Sequence, residues 1–99
     1  MDSVTGLPPL LSRKEIEEIC LAGENAAREY VLSVLDRHLI RSLNVRVTSE
    51  QSPAGLDFNA DVEIQVDPIV DMDLERLAEA AADHALEVID EKVRAKRVA

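Results

Sequence analysis

The chain has 99 residues, enough for one domain with a modest core. Its net charge of −9 repels phosphate backbones and anionic lipid at long range, so the acidic body is not expected to bind nucleic acid or membrane directly. Tyr30 and Phe58 are its only aromatic residues, so the core must be built of Leu, Ile, Val and Ala.

Residues 1–10, "MDSVTGLPPL", hold a Gly, two Pro and no periodicity. Residues 1–11 are expected to be a flexible lead-in and residues 12–97 a single domain. Ser12 opens a helix. Glu15 stands three residues on, as in a capping box, and Leu11 and Ile16 are placed for a hydrophobic staple. The helical pattern runs to about Arg41. Its main stripe is Ile16, Ile19, Cys20, Gly23, Ala27, Tyr30, Val31 and Val34. A second stripe of Leu21, Leu32, Leu35 and Leu39 lies beside it. Together they cover more of the circumference than packing on one sheet requires, which predicts a second contact.

Leu43, Val45 and Val47 alternate with polar residues and predict a short strand. "QSPAG" from Gln51 to Gly55 predicts a hairpin loop. From Leu56 to Asp67 the alternation is unbroken, with Leu56, Phe58, Ala60, Val62, Ile64 and Val66 on one side. That predicts a half-buried strand of roughly 40 Å. Pro68 ends it. Asp71 or Asp73 caps a second helix from about Leu74 to Lys96, whose stripe is Leu74, Leu77, Ala78, Ala81, Ala85, Val88 and Ile89. The fold class is α+β, in the order α-β-β-α: an antiparallel hairpin with two helices on one face.

Two strands span about 10 Å at the usual spacing, whereas two helices side by side need about 20 Å. Both outer strand edges are open, and the long strand has no Pro or Lys to block pairing. Extension of the sheet by a second chain, as a homo- or heterodimer, is therefore expected. Leu21, Leu32, Leu39, Phe58, Val62 and Ile64 are the candidate interface residues. A monomer with one helix covering an edge is the alternative.

No catalytic, cofactor or metal site emerges. His38 and His84 lack partners at zinc spacing. Cys20 lies on the core stripe with no base or helix N-terminus to make it a thiolate. Asp67, Asp71 and Asp73 fall within seven residues but lack the Gly and distal Glu of an EF-hand loop, so strand stop and helix cap account for them better. Asp57, Asp61, Glu63 and Asp67 line a flat solvated face that gives no reason for shifted pKa values. The three glycines form no phosphate loop. The charge is uneven: residues 1–55 carry eight acids against six bases, residues 56–99 twelve against five. The cationic cluster Lys92, Arg94, Lys96 and Arg97 suits the negative end of a helix dipole, against a role in touching RNA or an acidic partner. With no membrane span, no secretory leader and no cysteine pair, the chain is expected to be cytoplasmic and not an enzyme.

"SRKEIEEICLAGENAAREYVLS", "LNVRVTSE", the alternating strand and "DLERLAEAAADHALEVID" together resemble a family of small archaeal proteins of unknown function with a helix–hairpin–helix build, over residues 10–95. That family resembles in turn the Pcc-type small subunit of KEOPS, the complex that makes threonylcarbamoyl-adenosine on tRNA. The Pcc-type subunit is a dimer joined through its sheet and docked on the catalytic subunit. This chain departs from it in having no strand before the first helix. The resemblance implies a non-catalytic accessory subunit that pairs with a Pcc-type paralogue and controls how the complex assembles. A small acidic adaptor or chaperone-like homodimer is the competing reading, and a small-ligand or metal enzyme of unrecognised type is a third.

Overall fold

The computed structural model describes residues 11–53 and 55–98. The lead-in expected before Leu11 lies outside the described residues. The order is α1 (Arg13–Val34), a 3-10 turn (Arg37–Leu39), β1 (Ile40–Ser52), β2 (Gly55–Val66) and α2 (Leu74–Val98). The α-β-β-α order and the antiparallel hairpin are as the sequence predicts.

The start of α1 is the capping box. The Ser12 side chain accepts from the Glu15 amide at 3.1 Å, and the Ser12 amide donates to Glu15 Oε1 at 2.9 Å. These bonds satisfy two amides that the helix itself leaves unpaired. At its other end α1 stops at Val34, seven residues short of the expected Arg41. Leu35 is extended, with φ −116° and ψ 139°, while its amide still donates to Val31 O at 2.9 Å. Asp36 then accepts from the His38 amide at 2.8 Å and caps the 3-10 turn. A short acidic side chain that bonds its own neighbouring backbone competes with helix continuation. Leu35 and Leu39 kept the apolar spacing alive, but Asp36 between them ended the helix.

Released early, the chain makes a longer first strand than expected, 13 residues from Ile40. The strands run through the expected loop and leave only residues 53–54 between them. Gly55 opens β2 at φ 144°, a conformation that side-chain-bearing residues rarely adopt. The register pairs Leu43 with Ile64, Val45 with Val62 and Val47 with Ala60 on one face. On the other it pairs Asn44 with Glu63 and Arg46 with Asp61. An irregularity between Ile40 and Ser42 shifts the register near Arg41, whose guanidinium lies 3.6 Å from Asp67.

Asp73 begins α2. Its side chain accepts from the Arg76 amide at 3.1 Å, and its carbonyl accepts from the Leu77 amide. The two helices pack against each other, α1 chiefly over β1 and α2 over β2. Two clusters form the core. Ala27, Val31, Leu35, Leu77, Ala81 and Ala85 make one, and Ile19, Val47 and Ile89 the other. Val34 was placed on the core stripe but is 46 % exposed, because the helix ends there. Leu35 was placed on the outer stripe but is buried, because the extended backbone turns it inward.

At Gly23 the two helices pack tightly. A Cβ built there would stand 2.6 Å from Ile89 Cδ1 and 2.9 Å from its Cγ1, with Val47 Cγ2 at 3.5 Å. Ile89 is fully enclosed, so it has little room to withdraw. Gly23→Ala gains about 1 kcal/mol of helix propensity but overpacks a filled site, which costs about 1–3 kcal/mol. The expected net result is a lower melting temperature, and Ile89→Val, which removes Cδ1, should be less harmful in the Gly23→Ala background than in the parent. Equal effects of Ile89→Val in both backgrounds would show that the two residues do not compete for space.

The Glu15 carboxyl is held below the ordinary carboxylate range, first by the Ser12 amide, then by the Ser12 hydroxyl, with Lys96 adding to them. A depressed folded pKa contributes stability above the unfolded value and loses it as pH falls through the folded value. Glu15→Gln keeps a side chain able to cap but removes the charge. Its thermal-melt deficit at neutral pH should therefore shrink on acidification and vanish once Glu15 itself is protonated.

Candidate interaction surface

The polar clusters resolve into structural roles. Asp67 accepts from the Ile69 amide at 3.0 Å in the turn after β2, and Asp73 caps α2. His38 lies 3.0 Å from Asp36 on the exposed 3-10 turn. The His38 amide and then its ring hold the Asp36 carboxyl below its ordinary value. His84 lies 3.8 Å from Glu87, and its ring centroid is 5.6 Å from that of Tyr30. Burial, and then the charge of Glu24, push the Cys20 thiol up, away from the reactive thiolate. In the basic cluster, Arg94 pairs with Asp90 at 2.8 Å, and Lys96 reaches Glu15 and Glu18 at 3.8 Å each, tying the end of α2 to the start of α1. Such exposed pairs contribute little, typically about 0–1 kcal/mol. Among the described residues no three His, Cys, Asp or Glu side chains are grouped to hold a metal ion. Among them, too, no helix is long and apolar enough to cross a membrane.

The six candidate interface residues fall into three sets. Phe58, Val62 and Ile64 sit on the helix-facing side of β2 and pack partly buried against the core. They are support for the sheet rather than outer surface. Leu21 and Leu32 are on α1 and are 55 % and 41 % exposed. Leu39 lies off α1, half-buried in the 3-10 turn, where its carbonyl accepts from the Asp67 amide at 2.8 Å. Leu21 and Leu32 are eleven residues apart, which at about 100° per residue returns them to the same side of the helix. That side is turned away from Gly23 and Tyr30, which meet Ile89 and His84 of α2. Since α1 packs chiefly over β1 and beside α2, the leucines are on the β1 side of the helix pair.

Sequence reading missed a second exposed apolar set. Ile69 and Met72, in the connection from β2 to α2, are 77 % and 42 % exposed. They lie outside any periodic element, so no helical or strand pattern flags them. Ala26, buried beside Ala27, was missed because alanine is a weak marker of either face.

Among the described residues the sheet has two strands. Its helix-free face displays Asn44, Arg46, Thr48 and Glu50 on β1 and Asp57, Asn59, Asp61 and Glu63 on β2, all exposed. The shallow hollow of about 530 Å³ over residues 44–46 and 61–63 is open and polar, unlike the enclosed apolar cleft of a small-molecule site.

A small α+β protein whose unspent features are apolar flank residues and open strand edges is the class these observations define. The chain belongs to the family described as protein of unknown function DUF3194, whose model matches residues 9–92. It is similar to the hypothetical protein Mth677 of Methanothermobacter thermautotrophicus, known from a solution structure. Identity is 19 %, the TM-score 0.76, and the match covers 94 % of this chain and 99 % of that one. It is also similar to a crystal structure from Thermococcus onnurineus NA1, at 26 % identity and a TM-score of 0.72, covering 87 % of this chain and 82 % of that one. Both relatives are archaeal, and the likeness establishes a shared fold. No curated protein matches the chain.

Leu32→Lys removes no core contact, so its circular-dichroism spectrum should match the parent's, with a stability change within about 0.5 kcal/mol. Val62→Lys places a charge among core side chains and should unfold the domain. A collapsed spectrum for Leu32→Lys would count against an outward-facing flank.

Proposed function

We propose that the protein is a non-catalytic interaction subunit that works by pairing with a second chain of like build. The observation that carries this is the coincidence, on one side of the molecule, of an open β1 edge and the exposed leucines of α1. An open edge offers backbone donors and acceptors to another strand. The leucines offer apolar area to whatever lies beside that strand. Among the described residues neither feature is covered, and one partner strand with its flanking helix would use both.

The resemblance to the Pcc-type subunit names an assembly. In this reading the chain is an accessory subunit of KEOPS, acting on how the complex is put together and not on tRNA chemistry. Its acidic body supports a protein partner over direct RNA contact.

The test is size-exclusion chromatography with light scattering on the purified protein, alone and mixed with the Pcc-type subunit of the same host. A one-to-one mixed species would support the KEOPS reading. A stable homodimer that ignores the paralogue would keep the interaction role and remove KEOPS as its setting. A monomer under both conditions at tens of micromolar would remove the pairing role.

A further inference from the structure

We propose that the groove between the outer edge of β2 and the start of α2 receives an extended segment of a different protein, one whose residues alternate basic and apolar. The segment adds as a strand beside β2, on the side of the sheet away from β1. The inference is independent of the pairing at β1, and it gives the subunit a second partner of different chemistry.

Val62, Glu63, Ile64 and Gln65 follow one another in β2, and all line one hollow of about 320 Å³. Successive residues of a strand point to opposite faces. A hollow that touches a whole run of them therefore lies along the edge of the strand and not on one face. Leu74, Glu75 and Ala78 of α2 form its other wall. Ser42 and Asn44, which pair with Gln65 and with Glu63, carry it round onto the helix-free face. Among the described residues no strand pairs with β2 on this side. The helix-facing side chains of β2, from Leu56 to Val66, are accordingly only half-buried. A strand added here covers apolar area that the monomer leaves partly wet.

The two faces of the edge define the occupant. An open edge holds an incoming strand through its backbone, and the surfaces met by alternate side chains select the sequence. On the helix-free face the incoming strand meets Asp57, Asp61 and Glu63, all exposed, and Glu75 stands on the α2 wall. Glu63 and Glu75 have no ion-pair partner among the described residues. Opposite charges on neighbouring strands stabilise the pair, and like charges destabilise it. An acidic strand, a second β2 included, is thus disfavoured, and Lys or Arg is favoured at every second position. On the helix side the incoming strand meets Val62, Ile64, Leu74 and Ala78, and the small Ala78 leaves room for an apolar side chain. The connection that joins the two walls carries Ile69 and Met72, 77 % and 42 % exposed, which adds apolar surface at that end. Basic residues on one face and apolar residues on the other are the complement of this groove.

The probe is a fluorescein-labelled peptide, Lys-Val-Lys-Val-Lys-Val-Lys, read by fluorescence anisotropy. A peptide of the same composition with its lysines and valines in separate blocks is the control. The alternating peptide should bind several-fold more tightly than the blocked one. Glu63→Lys and Glu75→Lys, each checked for fold by circular dichroism, should weaken its binding several-fold. Glu91→Lys makes the same change of charge roughly 24 Å further along α2 at the usual rise, and should have little effect. Amide hydrogen exchange locates the added strand: on binding, residues 61–65 should slow and β1 should not. Equal binding of the two peptides, an equal loss in Glu91→Lys, slowing confined to β1, or no binding at hundreds of micromolar would each overturn the inference. So would a change in the light-scattering mass of the protein alone on Glu63→Lys, since the groove would then hold a second copy. A protein that takes the peptide but stays monomeric with and without the Pcc-type subunit keeps this inference and loses the proposed function. One that pairs with that subunit and ignores the peptide does the reverse.

Discussion

The contact of Gly23 with Ile89 over Val47 joins α1, α2 and β1 at one point. With no Cβ on Gly23, the Ile89 side chain occupies the space against α1. Ile19, Val47 and Ile89 then close one end of the core. The remainder of the helix pair follows the same principle with alanines: Ala26, Ala27, Ala81 and Ala85 are buried. Small residues on both helices let the backbones approach and let the larger side chains reach the sheet. A chain with only two aromatics has no bulky residue to fill a wider gap.

That close pairing determines what the hairpin can do. An isolated two-stranded hairpin is marginal in water and needs a hydrophobic layer against one face. Here Leu43, Val45, Val47, Ala60, Val62 and Ile64 supply the face and the helix pair covers it. The opposite face pairs polar with polar, Arg46 with Asp61 among them. A slip of one residue in register would exchange the two faces. The alternation is unbroken along β2, so the sheet's orientation is overdetermined even though its width is minimal.

The parts legible in the sequence were those where local chemistry and global packing agree. Ser12 and Glu15, the alternation from Leu56 to Val66, and the stripe from Leu74 to Ile89 each point one way, and each was found where expected. The end of α1 was misread because two signals conflicted there. Leu35 and Leu39 continue the helical spacing, while Asp36 offers a capping bond to the His38 amide. Periodicity extends over many residues and a cap over two, but the cap acts on the backbone itself. The same conflict hides the start of β1, since the helical spacing runs on through Ile40 and Arg41. For the surface, periodicity found the outward leucines of α1 but could not find Ile69 and Met72, which belong to no repeating element.

The charge distribution carries the last step. Acids concentrate on β2 and α2, so the β2 side of the sheet repels its own copy. The helix-free face of β1 mixes Arg46 and Glu50 with neutral residues, and the α1 flank mixes Arg28 with Glu24. Like charges set opposite one another disfavour pairing of β2 with its own copy, which guards that edge against open-ended association. The acidity of this protein is then a limit on assembly as well as a barrier to phosphate.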